Sequence, residues 1–427
     1  MALTRRHWWI IGVVTAVLLA VIAVAVTASF SLRSTTAAGS GSTASSSAPP
    51  ATPSTASPPP SIATSAPASG TPVPSSPGKD LAAQRLAAMT LEQRVGQILM
   101  VSSPVTGADA NSLYALDTLY VGNVFIKGRS TAGVEGIAAQ VSALVAHVSG
   151  DRTHGVRPFV ATDQEGGFVQ IMRGPGFEDM PQAVEQGQLA PDALAADATR
   201  WGQQLASVGV NVNLAPVMDT VPGAAFAPQN APIGTFGREY GYTPAGVSSH
   251  GLAFARGMLA AGVAPTAKHF PGLGRVTLNT DVSAGVTDDI TVREDAYIQP
   301  FRDAVNAGVP WLMISNALYP KIDPSNLAPF SSVIVQDMVR GDLGFTGVIV
   351  SDDICDAVQV SGVPVDRRGV DFIAAGGTMA LCTNQALLPQ MYQGLVAAAQ
   401  DDPGFAGQVD SAALLVLESK AAAGLLS

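Results

Sequence analysis

Short apolar runs alternate with longer amphipathic stretches from residue 79 to the end of the chain. The apolar runs read "GQILMV", "VGNVFI", "PFVAT", "VNVNLAPVM", "GVAPTA", "WLMIS", "GVIVS" and "TMALC". The stretches between them have helical periodicity, and several end at a glycine, as "DALAADATRWGQQLASVG" does. Strands alternating with helices predict a parallel sheet. Eight strands in about 350 residues predict an α/β fold with a single (β/α)8 barrel of the TIM type over residues 79–427. An open, doubly wound sheet is the alternative, but no G-x-G-x-x-G sequence follows the first strand.

The chain before residue 79 has a different pattern. Residues 8–32 are apolar or small, a run longer than a signal-peptide core and long enough to span a bilayer. Arg5 and Arg6 precede this run and are expected to stay in the cytoplasm. Residues 1–33 are therefore predicted to be a membrane anchor, or a signal segment if they are cleaved. Residues 34–78 carry no charge and are mainly Ala, Ser, Thr and Pro, which predicts a disordered linker. The barrel is thus expected at the cell membrane, facing the wall, or secreted after cleavage.

The composition of the chain argues against some classes of binding partner. The net charge is −10 and only 13% of residues are charged, so the sequence lacks the basic surface of a nucleic-acid-binding protein, and no such partner is expected. With five His and no H-E-x-x-H sequence, no metal site is predicted. Two cysteines, Cys355 and Cys382, permit one disulfide in an oxidising compartment, or remain two separate buried thiols.

Polar side chains follow five of the predicted strands at the point where each strand ends. They are Asp163 and Glu165, Asp219, Lys268 and His269, Asn316, and Asp352 and Asp353. The carboxyl ends of barrel strands form one face, where barrel enzymes have their active sites. A single Asp after a strand can instead cap the next helix, and this alternative stays open for Asp219.

This set of side chains favours one chemistry. The chain has no G-x-S-x-G sequence for a nucleophilic serine. Paired carboxylates remain, and glycoside hydrolysis uses them: an ionised Asp attacks the anomeric carbon, and a second, protonated group releases the leaving sugar.

Five motifs carry a resemblance to a known family: "FVATDQEGGFVQ", "NLAPVMDT", "KHFPGLG", "RGDLGFTGVIVSDD" and "IAAGGTMAL". Together they resemble the bacterial β-N-acetylglucosaminidases of glycoside hydrolase family 3, in particular the cell-surface enzymes of mycobacteria and related actinobacteria. The resemblance covers about residues 80–426. It implies a single (β/α)8 barrel, a retaining mechanism and no cofactor.

The resemblance also implies roles for individual residues. Asp352, which follows Ser351 at the end of the seventh strand, matches the nucleophile. Asp353 is expected to support or cap the loop. The residues that match the sugar-binding positions are Asp163, Arg238, Lys268 and His269. Glu165 is expected to fix its loop and is not assigned to the site.

The chain departs from the family at two places. Phe168 and Ile171 stand where the family usually has arginines. In the loop that begins "KHFPGLGRVTLNTD", Asn279 and Asp281 stand where the family has an Asp and the acid/base His. We predict that Asp281 is the acid/base itself, and a carboxylate with only a turn function is the alternative.

Barrel geometry predicts a Cys355–Cys382 disulfide beside the site, because neighbouring strands lie about 5 Å apart. The predicted function is that of a retaining exo-glycosidase that hydrolyses terminal β-linked N-acetylglucosamine from peptidoglycan fragments (GlcNAc-MurNAc) through a glycosyl-Asp352 intermediate. The alternatives are a family 3 β-glucosidase-type exo-glycosidase and an inactive glycan-binding barrel. The partners expected are the carbohydrate substrate and, through the N-terminal segment, the membrane.

Overall fold

The computed structural model describes residues 77–148 and 150–426. The predicted membrane segment, residues 1–33, lies outside the described residues. So does the predicted linker, except that its last two residues, Pro77 and Gly78, begin the first described helix. Within the described ranges, no helix is both long and apolar enough to cross a bilayer.

Eight strands form one parallel sheet, and they correspond to the eight apolar runs. They are β1 Leu99–Pro104, β2 Asn123–Lys127, β3 Phe159–Thr162, β4 Val212–Asn213, β5 Ala264–Phe270, β6 Trp311–Ile314, β7 Val348–Ser351 and β8 Ala380–Cys382. Each strand from β1 to β6 pairs with the next along the chain, and β8 pairs with β1. A parallel bridge between Val350 and Met379 joins β7 to the start of β8. The predicted α/β fold with an eight-stranded, TIM-like barrel is confirmed.

Helices precede, connect and follow the strands. They are α1 Pro77–Ala88, α2 Leu91–Gln97, α3 Ala110–Thr118, α4 Gly133–Val145, α5 Ala183–Gln186, α6 Pro191–Ser207, α7 Pro244–Ala260, α8 Gln299–Asn306, α9 Val365–Ala374, α10 Leu388–Asp401 and α11 Pro403–Ala422. A π-helix, Val333–Asp342, lies between β6 and β7. In α6, which packs against α7, the buried residues Leu194, Ala198, Trp201 and Leu205 recur at the three- and four-residue spacing of one helix face.

A buried lysine lies at the amino ends of the strands. Lys420, on α11, is fully buried, and its Nζ donates to Gln97 Oε1 at 2.8 Å and to the Gly122 carbonyl at 3.0 Å. No carboxylate of the described residues pairs with it. Burial lowers the pKa of Lys420 well below its ordinary value. At this end of the barrel, Lys420 is therefore held by neutral oxygen acceptors.

Two short hairpins extend from the opposite, carboxyl ends of the strands. After β3, Gln164–Gly166 pairs with Val169–Gln170. After β6, Leu318–Tyr319 pairs with Asp323–Leu327. The first hairpin carries Glu165 and Phe168 and lies between Asp163 and Ile171 along the chain.

Candidate active site

A cavity of about 330 Å³ opens at the carboxyl ends of the barrel strands. All six residues predicted to act in catalysis or sugar binding line it: Asp163, Arg238, Lys268, His269, Asp281 and Asp352. The barrel brings them together from the ends of β3, β5 and β7 and from the loops after β4 and β5. Their convergence makes this cavity the candidate active site.

Two cations and two carboxylates form a largely buried network on one side of the cavity. Lys268 Nζ lies 2.7 Å from Asp163 Oδ1 and 2.6 Å from Glu165 Oε1. Arg238 binds Glu165 with two parallel hydrogen bonds, Nε to Oε2 at 2.8 Å and Nη2 to Oε1 at 2.7 Å. Burial alone would raise the pKa of Glu165, but Arg238 and Lys268 outweigh it and lower that pKa to about 2. Glu165 therefore stays ionised and fixes both cations.

The expectation that Glu165 fixes its loop was incomplete. Its side chain is 4% exposed, and it joins the residue that ends β3 to two residues predicted to bind sugar. Its position two residues after Asp163 was the only sequence signal for this role. Its partner Arg238 is 73 residues away, so the sequence did not show which cation it would meet.

His269 is held by an aspartate. Its Nδ1 lies 2.7 Å from Asp219 Oδ2, and Asp219 Oδ1 accepts hydrogen bonds from the backbone N–H groups of His269 and Leu273 at 3.2 and 2.8 Å. Asp219 thus holds β5 and the loop that follows it, and the alternative that it caps a helix is wrong. Because Nδ1 is taken, Nε2 is the ring nitrogen that His269 offers to a ligand.

Asp352 follows directly after the last residue of β7. Its backbone N–H donates to the Ile314 carbonyl at 2.9 Å, so the neighbouring strand fixes its backbone. Burial raises the pKa of Asp352 to about 6; His269 opposes this shift and Asp281 adds to it. The carboxylate is therefore mostly ionised at neutral pH, as a nucleophile must be.

Asp353 lines the cavity and also forms hydrogen bonds that hold the loop after β7. Its Oδ1 accepts from the N–H groups of Cys355 and Thr383 at 2.9 and 3.0 Å. Its Oδ2 accepts from the Asp356 N–H at 3.2 Å and from the Thr383 hydroxyl. These bonds tie the loop after β7 to the end of β8, in agreement with the capping role expected for it.

Cys355 and Cys382 form a disulfide that joins the same two segments, with Cα atoms 4.9 Å apart. Asp352 thus lies next to a loop that is cross-linked by both a covalent bond and hydrogen bonds. Among the described residues, no group of His, Cys, Asp or Glu side chains is arranged to hold a metal ion.

The sequence profile of the N-terminal domain of glycosyl hydrolase family 3 matches residues 90–417. The chain belongs to glycosyl hydrolase family 3. The family predicted from the five motifs is confirmed, and the protein is a glycoside hydrolase.

The chain is also similar to named proteins and solved structures. A β-hexosaminidase of Nitrosomonas eutropha is 33% identical over 254 residues, which cover 58% of this chain and 70% of that protein. The crystal structure of a β-N-acetylhexosaminidase from Beutenbergia cavernae is 50% identical, with a TM-score of 0.77, and the match covers 78% of this chain and 98% of that chain. A family 3 β-N-acetylglucosaminidase from a Paenibacillus species is 26% identical, with a TM-score of 0.70 over 79% of this chain and 63% of that chain.

The loop after β5 of this family 3 chain is hydrogen-bonded to the loop after β7. The carbonyl oxygens of Thr280 and Asp281 accept from the backbone N–H groups of Gln359 and Val358 at 3.1 and 3.2 Å. The Gln359 side chain, which is buried, accepts from the Val286 N–H at 2.9 Å and donates to the Val286 carbonyl at 3.0 Å. Asp281 is therefore held at the cavity on the loop after β5. Sequence reasoning missed Gln359, which lies 73 residues from Val286.

The two positions that lack the usual family arginines differ in exposure. Ile171 is 8% exposed and lines the cavity. Phe168 is 58% exposed and stacks on Phe236, with ring centroids 4.7 Å apart. The cavity wall is thus apolar at Ile171, while Phe168 faces solvent at the rim.

Proposed function

We propose that the protein is a retaining exo-glycosidase that releases terminal β-linked N-acetylglucosamine. One observation carries the proposal: the carboxylates of Asp352 and Asp281 line the same cavity as the four residues expected to bind sugar. The relatives named β-hexosaminidase and β-N-acetylhexosaminidase support N-acetylglucosamine as the sugar.

In the proposed mechanism, Asp352 attacks the anomeric carbon while the glycosidic C–O bond breaks, and protonated Asp281 gives its proton to the departing oxygen. Asp281, now a carboxylate, then takes a proton from water as the water oxygen displaces Asp352 from the sugar. An anionic Asp281 would repel phosphate, so we expect water to be the acceptor.

The free hydrogen-bonding groups of the network suit sugar hydroxyls. Lys268 uses two of its three N–H bonds on Asp163 and Glu165 and keeps one for a ligand. Arg238 bonds Glu165 through two nitrogens and the Pro232 carbonyl through the third, which leaves one N–H on each terminal nitrogen. Asp163, with a quarter of its side chain exposed, offers its second oxygen as an acceptor.

The substrate proposed is the GlcNAc-MurNAc unit of peptidoglycan fragments, and the proposed location is the outer side of the cell membrane. The apolar run over residues 8–32 and the uncharged linker that follows it support this location. The Cys355–Cys382 disulfide is also in keeping with an oxidising compartment. Fractionation of the native host, with detection of the barrel in membrane, wall and medium, tests the location.

A panel of aryl β-glycosides of N-acetylglucosamine, glucose and xylose tests the activity. We expect turnover of the N-acetylglucosamine glycoside well above the other two. Preferred cleavage of the glucoside would indicate the β-glucosidase-type alternative, and no cleavage of any of them would indicate an inactive glycan-binding barrel. Asp352→Asn should abolish both turnover and the trapped glycosyl-enzyme, and full activity in that variant would overturn the mechanism.

A test of Asp281 as the acid compares two substrates, one whose leaving group needs a proton and one whose leaving group does not. Asp281→Ala should slow cleavage of a non-activated disaccharide by about 10²–10⁴-fold and should affect a dinitrophenyl glycoside far less, because that leaving group needs no proton. Asp289→Ala, which removes another exposed carboxylate of the same region, is the control and should cleave both substrates normally. If Asp281→Ala cleaves the disaccharide at the wild-type rate, Asp281 is not the acid.

A further inference from the structure

Three side chains form a cluster close to the cavity, with Arg129 and Phe168 exposed and Phe236 half-buried. This rim cluster consists of Arg129, Phe168 and Phe236, which come from the loops after β2, β3 and β4. Each member lies two or three positions along the chain from a residue that lines the cavity, namely Lys127, Ile171 and Arg238. These short connections place the cluster next to the cavity lining.

The cluster fixes the guanidinium of Arg129. Its Cζ lies 4.5 Å from the ring centroid of Phe168, a cation–π contact, and its Nη1 donates to the Phe168 carbonyl at 2.6 Å. Phe236 stacks on Phe168 with an interplanar angle of 19° and so limits the movement of that ring. A guanidinium held at two points loses less entropy when it binds a ligand than a free surface arginine does.

Arg129 differs from the neighbouring cations in having no carboxylate partner. Lys127 Nζ lies 3.7 Å from Asp356, and Arg173 pairs with Asp179. Arg129 forms no ion pair with any described residue, and its Nη2 and Nε make no hydrogen bond to them. In a chain with net charge −10, this arrangement leaves one oriented cation at the rim whose free N–H groups suit a carboxylate.

We propose that Arg129 binds a carboxylate carried by the leaving group of the substrate and so determines specificity for acidic glycans. The inference rests on the proposed function, which places N-acetylglucosamine inside the cavity and its leaving group at the rim. In a GlcNAc-MurNAc fragment, the carboxylate belongs either to the lactyl ether or to a peptide attached to it. Arg129 takes no part in bond breaking, so a small neutral aryl glycoside should not require it.

The test compares matched substrates. These are the GlcNAc-MurNAc disaccharide with its free lactyl carboxylate, the same disaccharide as the neutral methylamide, and the disaccharide with an acidic dipeptide on the lactyl group. Arg129→Gln removes the charge, and Arg129→Lys keeps it. Arg256→Gln is the control, because Arg256 is an exposed arginine of α7 whose ion pair, at 3.2 Å, is with the exposed Asp192.

Wild-type enzyme should prefer one of the acidic substrates over the methylamide by about two- to fivefold in kcat/KM, the range for an exposed charge pair. The acidic substrate that is favoured identifies the source of the carboxylate. Arg129→Gln should lose this preference while cleaving the methylamide and an aryl glycoside normally, and Arg129→Lys should restore part of it. Added salt should weaken the preference in wild type and in Arg256→Gln alike.

Two results would overturn the proposal: no preference in wild type, or an equal loss on all substrates in Arg129→Gln. If wild type cleaves none of these substrates, the proposed function fails, but the role of Arg129 remains decidable. Calorimetric binding of the acid and the methylamide to Asp352→Asn protein, with and without Arg129→Gln, then gives the answer: equal affinities contradict the proposal, and a difference that depends on Arg129 supports it.

Discussion

Replacement of Glu165 by Gln should destabilise the folded protein at neutral pH. The pKa of Glu165 falls from its ordinary value of 4.5 to about 2, and each pH unit of such a shift corresponds to about 1.4 kcal/mol. The ionised carboxylate therefore contributes about 3 kcal/mol at neutral pH. Gln keeps the shape of the side chain and some of its hydrogen bonds. It leaves the cations of Lys268 and Arg238 without the negative charge of Glu165, and an unpaired charge in a protein interior lowers the free energy of unfolding.

The sign of the pH dependence gives a sharper test. The folded pKa of Glu165 lies below the unfolded pKa, so the unfolded state binds more protons between about pH 2 and 4.5. The stabilisation is complete above pH 4.5 and is lost as the pH falls toward 2. The difference between wild type and Glu165→Gln should therefore be largest at pH 7 and should shrink below pH 4.5, because Gln does not titrate.

Urea unfolding at a series of pH values, followed by tryptophan fluorescence, measures both quantities. The buried Trp201 and Trp311 report on the barrel. Glu135→Gln, which changes an exposed carboxylate on α4, controls for loss of one charge and should leave the free energy of unfolding within about 0.5 kcal/mol of wild type. A loss below about 1 kcal/mol in Glu165→Gln, or a loss that does not change with pH, would refute the reasoning.

Three further predictions follow from buried or cross-linked groups. In a pH profile of kcat/KM with an activated glycoside, the acidic limb should lie near pH 6, where Asp352 ionises. Asp281→Asn should move this limb to lower pH, because it removes a negative charge that raises the pKa of Asp352; an unmoved limb would contradict that electrostatic effect. The disulfide closes a loop with a sequence separation of 27 residues. Its removal by Cys355→Ala and Cys382→Ala together should lower the free energy of unfolding by about 3–4 kcal/mol, and an unchanged urea midpoint would contradict its stabilising role. Because the pKa of Lys420 is lowered on folding, the free energy of unfolding of wild type should rise with pH up to about 10.4. Lys420→Met should lack this rise. Equal slopes of the free energy of unfolding against pH in both proteins would exclude Lys420 as the source of the rise.

Local apolar pattern was sufficient to predict the strands, because each barrel strand is buried and short. "WLMIS" contains β6, Trp311–Ile314, and "GVIVS" contains β7, Val348–Ser351. The run "VNVNLAPVM" contains only two residues of regular strand, Val212–Asn213. Pro216 lacks an N–H group and interrupts the ladder, although Met218 beyond it donates to the Lys268 carbonyl at 2.6 Å.

The candidate site was predictable in its positions but not in its contacts. Polar residues at strand ends indicated the cavity, because parallel strands all end at one face of a barrel. The partner of each residue depends on a different strand: His269 meets Asp219, 50 residues earlier in the chain, and Lys268 meets Asp163, 105 residues earlier. Local sequence carries no information about such pairs, so Asp219 could be interpreted as a helix cap until the barrel brought it to His269.

The backbone hydrogen bonds at Asp281 help to decide whether a carboxylate can replace the histidine that usually acts as the acid/base in this family. An exposed carboxylate on a free loop would visit the cavity only part of the time, and its contribution as an acid would fall in proportion. Here Gln359 and Val358 bond the loop on both sides of the Asp281 Cα, through the carbonyls of residues 280 and 281. The loop they belong to begins at Asp352. The predicted nucleophile and the predicted acid therefore share one hydrogen-bonded frame, so Asp281 keeps its place at the cavity without a carboxylate partner of its own.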